Sequence, residues 1–112
     1  MNCRLICGYY KAQQDENHFY LFLEYVKGLN LDEIMIDFGM IPQSIIKYIL
    51  ASVVLFLDHL HSKNIVYRNL NPSNILIKNS GYLVMTDFSC AKRLEPLGRT
   101  NTVAGVPYYM AP

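Results

Sequence analysis

The sequence predicts an α+β fold, with a few short strands gathered around one long apolar helix. Three observations carry this expectation. Leu5 to Tyr10 and His18 to Val26 ("HFYLFLEYV") are rich in aromatic and branched residues, lack a helical period and read as strands. Ile45, Ile46, Ile49, Leu50, Val53, Leu57 and Leu60 recur at the spacing of one helix face. Beyond them, "ILIK", "NSG" and "YLVMTDF" follow the strand, turn, strand order of a hairpin.

Taken in order, the first strand leads through the polar "KAQQDEN", read as a turn, into the second, read as buried and paired antiparallel with the first. Gly28 breaks the pattern. "NLDEIMIDFGM" is a short helix, with Asn30 as cap, Glu33 at the third helical position and Gly39 at the C-terminal turn. Pro42 suits a first helical position, and the long helix that follows is expected to be largely buried and to end near Lys63 and Asn64. Pro72 pushes Asn71 out of the helical region, so "RNLNPSN" is a loop. From Ser89 to Pro112, with Pro96, Gly98, Gly105 and Pro107, the chain is irregular.

The 112 residues suffice for one small domain with a core, and 52% hydrophobic against 17% charged residues is a globular composition. A net charge of +1 gives no reason to expect nucleic acid or an acidic membrane surface as partner. The longest apolar stretch, "ILASVVLFL", is too short to span a bilayer, and "MNCRLICGYY" lacks the basic start and long apolar run of a signal peptide. Three cysteines, Cys3, Cys7 and Cys90, fit neither a disulfide framework nor a zinc site. Reduced core thiols and a cytoplasmic location are the expectation. The apolar end "YYMAP" is expected to continue into a longer polypeptide.

A hairpin brings its ends together, so Asn74 at its entry and Asp87 at its exit can face one cavity. An amide oxygen and a carboxylate are hard donors that suit Mg²⁺. The competing reading is that Asn74 caps a turn and Asp87 makes local hydrogen bonds.

Several ordered segments decide what this constellation resembles. "YRNLNPSN" followed by "TDFS" is similar to the catalytic loop and metal-binding motif of the protein kinases. "YLFLEYVKG" resembles their fifth strand and hinge, "ILASVVLFLDHLHSKNIVY" the long helix entering the loop, and "GRTNTVAGVPYYMAP" the end of an activation segment. "HLHSKNIVY", Tyr67 before Arg68 and "GRTNT" resemble the cyclic-nucleotide-dependent serine/threonine branch. The resemblance implies the middle of a kinase domain: residues 1–27 as N-lobe strands and hinge, residues 28–112 as the front of the helical C-lobe. It implies ATP and Mg²⁺ as cofactors, and a protein substrate or regulatory protein as partner. Leu23 matches the gatekeeper, Glu24 and Val26 the adenine-pairing hinge, Leu76 the floor beneath adenine, and Asn30 a further nucleotide-binding position. Asn74 and Asp87 match the metal ligands. Arg68 matches the arginine that reads a phosphorylated threonine, and Thr102 matches that threonine. Phe88 matches the phenylalanine packed on Tyr67.

The pattern breaks at the chemistry. Asn69 stands where the family has its catalytic aspartate, and an amide cannot accept a proton near neutral pH. Loss of a positioned base costs ~10²–10⁴-fold in rate. Asn71 stands in place of the lysine that neutralises the transferred phosphate. Ser73 and Tyr108 replace acids, Val106 a threonine, and Ser89 a glycine, where a Cβ restricts the backbone. The sequence contains no G-x-G-x-x-G loop and no V-A-x-K lysine. The expectation is a catalytically impaired kinase domain with a binding or regulatory role in a longer protein. A divergent active kinase and a truncated gene product are the alternatives.

Overall fold

The computed structural model describes residues 3–112, so Met1 and Asn2, the start of the expected 1–27 unit, lie outside it. Strands β1 (Tyr9–Gln14) and β2 (Phe19–Leu23) form an antiparallel ribbon. The reversal is an Asp15 turn: one carboxylate oxygen accepts from the Asn17 and His18 N–H groups at 2.8 and 2.7 Å. The expected turn "KAQQDEN" is therefore half strand. The first strand starts four residues later than expected, because Leu5 to Cys7 are claimed by a different neighbour. Leu5 and Cys7 exchange backbone hydrogen bonds with Met85. The expectation of a buried second strand also fails. Every residue of β1 and β2 is exposed, since among the described residues no element covers either face of the ribbon.

The chain then crosses to a second sheet. Strand β3 (Gly28–Asn30) pairs antiparallel with β5 (Ile75–Lys78), and β5 pairs with β6 (Leu83–Met85). A Cβ on Gly28 would meet the Ile77 carbonyl oxygen at 2.0 Å, so this crossing requires glycine. Helix α1 (Leu31–Phe38) carries the expected capping box. The Asn30 side chain accepts from the Glu33 N–H, Glu33 accepts from the Asn30 N–H, and the Gly39 N–H closes the helix on Met35.

Helix α2 (Gln43–His61) begins after Pro42, which is its cap rather than its first residue. It ends two residues earlier than expected, in a turn where Asn64 takes a φ of 57°. At 19 residues it extends past the apolar stretch read from the sequence, and by length and composition it could cross a membrane. A core helix meets the same criterion. Ile49, Ser52, Val53, Phe56 and Leu60 turn inward, whereas Ile45, Ile46 and Leu50 are exposed, so the helix buries one narrow face and is not largely buried. Its inner face packs on Tyr67, Ile75, Leu83 and Met85 to make the core.

Strand β4 (Ile65–Val66) pairs with β7 (Lys92–Arg93), which fastens the two ends of the loop-and-hairpin segment together. The three cysteines are free and each is only partly buried, so they are not core thiols.

Candidate functional site

The site is framed by aromatic packing beneath the loop. Tyr67, 2% exposed, meets the Phe88 ring at 5.2 Å between centroids and the Phe56 ring at 5.0 Å, with Phe56 and Phe88 6.0 Å apart. All three contacts are tilted or edge-on, the arrangement that ring quadrupoles favour. The Tyr67 hydroxyl donates to the Thr86 carbonyl. Burial, and then the negative charge of Asp87, push the Tyr67 phenol well above its usual range, so it stays a donor. Phe56, completely buried, is the residue that sequence reading missed. It falls between the helical positions chosen for their spacing, yet it lies on the same inward face as Val53 and Leu60.

Above this layer the loop side chains interlock. Asn71 caps the short 3₁₀ turn Pro72–Asn74: its Oδ1 accepts from the Ser73 N–H at 3.1 Å and also from the Ser73 hydroxyl. Its Nδ2 donates to the Asn69 carbonyl at 3.1 Å and to Asn69 Oδ1 at 3.2 Å. The Asn69 Nδ2 donates to Asp87 Oδ2 at 2.9 Å. The Asn74 Nδ2 donates to the Asn69 carbonyl at 2.9 Å, and the Asn74 carbonyl accepts from the Thr86 N–H at 3.1 Å. Asn69, Asn71 and Asn74 are all buried. The hairpin thus brings Asn74 and Asp87 to one cluster, with Asn69 between them.

Asp87 is well supplied with donors. The neighbouring Ser89 hydroxyl is the strongest influence lowering its carboxyl, helped by the Ser89 N–H, 3.1 Å from Oδ1, and by the Asn69 amide, against a rise from partial burial. The Cβ of Ser89 is accommodated without a left-handed backbone. Asp87 itself (φ 55°) and Arg68 (φ 61°) take that conformation, and strained backbone of this kind clusters at functional positions.

Arg68 spans to the irregular segment. Its Nε donates to the Cys90 carbonyl at 2.8 Å, and one Nη donates to the Thr102 carbonyl at 3.2 Å and the Thr100 hydroxyl at 3.5 Å. Lys92 Nζ lies 3.3 Å from that same hydroxyl. Of the two threonines, Thr100 turns its hydroxyl toward both cations, while Thr102 offers Arg68 its backbone. Gly105 (φ 98°) holds the segment against the loop, where a Cβ would come 2.1 Å from the Arg68 carbonyl oxygen.

The other candidate residues lie around the hinge. Leu23 is half-exposed at the end of β2, and Leu76 pairs across to Asn30 and Val84. The Glu24 carboxylate accepts from Lys78 Nζ at 2.8 Å and the Gly8 N–H at 3.2 Å, and its carbonyl accepts from the Cys7 thiol at 3.4 Å. Lys78 chiefly, and then Gly8, hold the Glu24 carboxyl below its usual range. Val26 is partly buried. The Asn30 side chain is committed to capping α1. An open cleft of about 790 Å³ runs past Cys7, Glu24, Lys78 and Tyr82, and an apolar groove of about 390 Å³ lies between α1 and α2. Neither is lined by the Asn69–Asp87 cluster.

Comparison with known proteins agrees with this frame. The protein kinase domain family matches residues 1–112, and the chain belongs to that family. It is 44% identical over 107 residues to the cAMP-dependent protein kinase catalytic subunit of Dictyostelium discoideum, covering 96% of this chain and 16% of that protein. It is 39% identical over 99 residues to the cGMP-dependent protein kinase of Plasmodium berghei, covering 88% of this chain and 11% of the relative. With a Drosophila melanogaster cGMP-dependent kinase, isozyme 2 forms cD5/T2, it shares 38% identity over 111 residues, 99% of this chain and 12% of the relative. These similarities place it in the cyclic-nucleotide-dependent serine/threonine branch. The chain spans between about a tenth and a sixth of the length of these relatives.

Proposed function

We infer that this chain is the loop-bearing part of a kinase domain whose phosphotransfer is impaired and which serves a longer protein as a binding or regulatory module. One observation carries the reading: the Asn71 side chain is used up within the loop. Its oxygen caps the Pro72–Asn74 turn and its Nδ2 is held on Asn69. Phosphoryl transfer depends on a base at the attacking hydroxyl and on cations at the migrating phosphate. Asn69 supplies no base, and Asn71 supplies no charge. The aromatic layer, the hairpin and the Arg68 contacts that shape the loop all remain, which favours a retained binding surface over an enzyme with a substitute base.

The family uses ATP and Mg²⁺. In this reading Leu23, Glu24, Val26 and Leu76 bound the adenine region, and residues 28–112 act as one body with the hinge preceding them. Asn30 is a weaker nucleotide contact while its side chain caps α1. Thr102 is a phosphorylation site whose phosphate would be read by Arg68. The partner is a regulatory protein in the cytoplasm, and α2 is a core helix that does not cross a membrane.

The test is a peptide phosphotransfer assay on the full-length protein, run beside thermal melts with added ATP. The reading expects phosphate incorporation at background level. Incorporation at a rate typical of the kinases it resembles, ~1–100 s⁻¹, would overturn it.

A further inference from the structure

The two asparagines do more than fail at their positions; together they aim a donor at Asp87. The orientation of each amide follows from one fixed point. The Ser73 backbone N–H can only donate, so the group it meets at 3.1 Å is the Asn71 oxygen. That turns the Asn71 Nδ2 toward Asn69, where it lies 3.2 Å from the side-chain oxygen. The Asn69 Nδ2 must then face the other way, and it meets Asp87 Oδ2 at 2.9 Å. The second Asp87 oxygen already accepts from the Ser89 N–H at 3.1 Å. Asn74 turns its Nδ2 inward to the Asn69 carbonyl.

A magnesium site needs several oxygen donors directed at one point. Here one carboxylate has a protein donor on each oxygen, and one of those donors is the Asn69 amide N–H, 2.9 Å from Oδ2. With Asp87 Oδ2 engaged by an amide N–H, and the Asn74 oxygen the uncommitted side-chain oxygen beside it, the cluster offers Mg²⁺ too few directed oxygens as it stands. With aspartate at position 69, two carboxylates would face each other at this separation, and like charges so close demand a cation or a proton.

We propose that the Asn71–Asn69 relay takes the place of the divalent cation at Asp87, so that this site has no requirement for metal. The Asn69 amide stabilises the charged carboxylate by donating a hydrogen bond to it, and Asn71 is the positioning residue that keeps the amide from flipping to present its oxygen. The proposal rests on the impaired-kinase reading but is separable from it: an inactive protein that binds metal would refute only this proposal.

The experiment uses the full-length protein, with Mn²⁺ as a paramagnetic probe, ATP as the nucleotide, and thermal melts in chelator, Mg²⁺ or Mn²⁺. For the wild type the expected result is no specific Mn²⁺ binding, with or without ATP, and a melting temperature that cation does not change. Asn69→Asp should melt lower in chelator, recover with Mg²⁺ or Mn²⁺, and bind Mn²⁺ at least ten-fold more tightly than the wild type. Asn71→Ala adds no charge and frees the Asn69 amide to turn. It should acquire weaker Mn²⁺ binding, which keeps the test open if the aspartate variant does not fold. Mn²⁺ binding by the wild type equal to that of Asn69→Asp overturns the proposal, as does failure of every folded variant to bind more Mn²⁺ than the wild type.

Discussion

Asn71 illustrates how one side chain can be recruited by local structure. A lysine at this position would extend away from the turn; asparagine is short enough to bond its own backbone two residues on, and Pro72 fixes the backbone that makes the bond available. Other single residues carry measurable weight. Phe56 is completely buried between Tyr67 and Phe88, so Phe56→Ala should cost about 3–5 kcal/mol in denaturant unfolding. Glu24 has its carboxyl lowered mainly by Lys78, so the pair contributes stability above the ordinary value of 4.5 and loses it as pH falls through the lower folded value. The ion pair is one-third exposed, which limits it to about 0.5 kcal/mol. Lys78→Met should melt slightly below the wild type at neutral pH, and the gap should close in acid. Much at this scale was legible in sequence. The Asn30 and Glu33 box and the placing of Asn74 and Asp87 at the two ends of one hairpin follow from residue type and spacing, and the Tyr67–Phe88 contact from the family resemblance. The direction of the Asn69 amide was not, because it is set by a chain of hydrogen bonds anchored at the Ser73 backbone rather than by any pattern.

At the scale of elements, short-range signals served well where an element makes its own contacts. They failed where a neighbour decides. The β5–β6 hairpin and both helices were readable from turn residues and helical period. The start of β1 was not, because Leu5 to Cys7 bond to Met85, some eighty residues away in sequence. The pairing of β3 with β5 was hidden for the same reason, apart from Gly28, whose hydrogen fills the only space left by the Ile77 carbonyl. Gly28→Ala should therefore separate these strands and destabilise by more than the ~0.4–1 kcal/mol that the same change contributes favourably at a compatible site; faster hydrogen exchange at Leu29 and Ile77 would register the loss. The segment after β7 hangs on Arg68 and Gly105. Arg68→Ala removes its bonds to the Cys90 and Thr102 carbonyls, so limited proteolysis after Arg99 should accelerate while the α2 core stays protected. Unchanged cleavage would show that the segment is held by other contacts.

For the whole molecule, the sequence patterns and the packed core agree on a kinase-domain frame, and in the proposed reading the departures at Asn69 and Asn71 fall where phosphate would be transferred. The aromatic layer of Phe56, Tyr67 and Phe88 keeps the loop in place, and the Ser73-to-Asp87 relay ties the Asn71 and Asn69 side chains together. The exposed β1–β2 ribbon explains why burial was overestimated there: its apolar residues follow a strand pattern, but pattern alone does not say whether a partner covers the strand. The central claim is that the frame persists without the chemistry. The most direct measurement is the single-turnover rate of phosphate transfer from ATP to a basic serine peptide, for the full-length wild type and for the double variant Asn69→Asp with Asn71→Lys. The account predicts background transfer by the wild type and a gain of at least ~10²-fold in the double variant, the low end of what a positioned base supplies. Rapid transfer by the wild type, undiminished by Asn69→Ala, would contradict it.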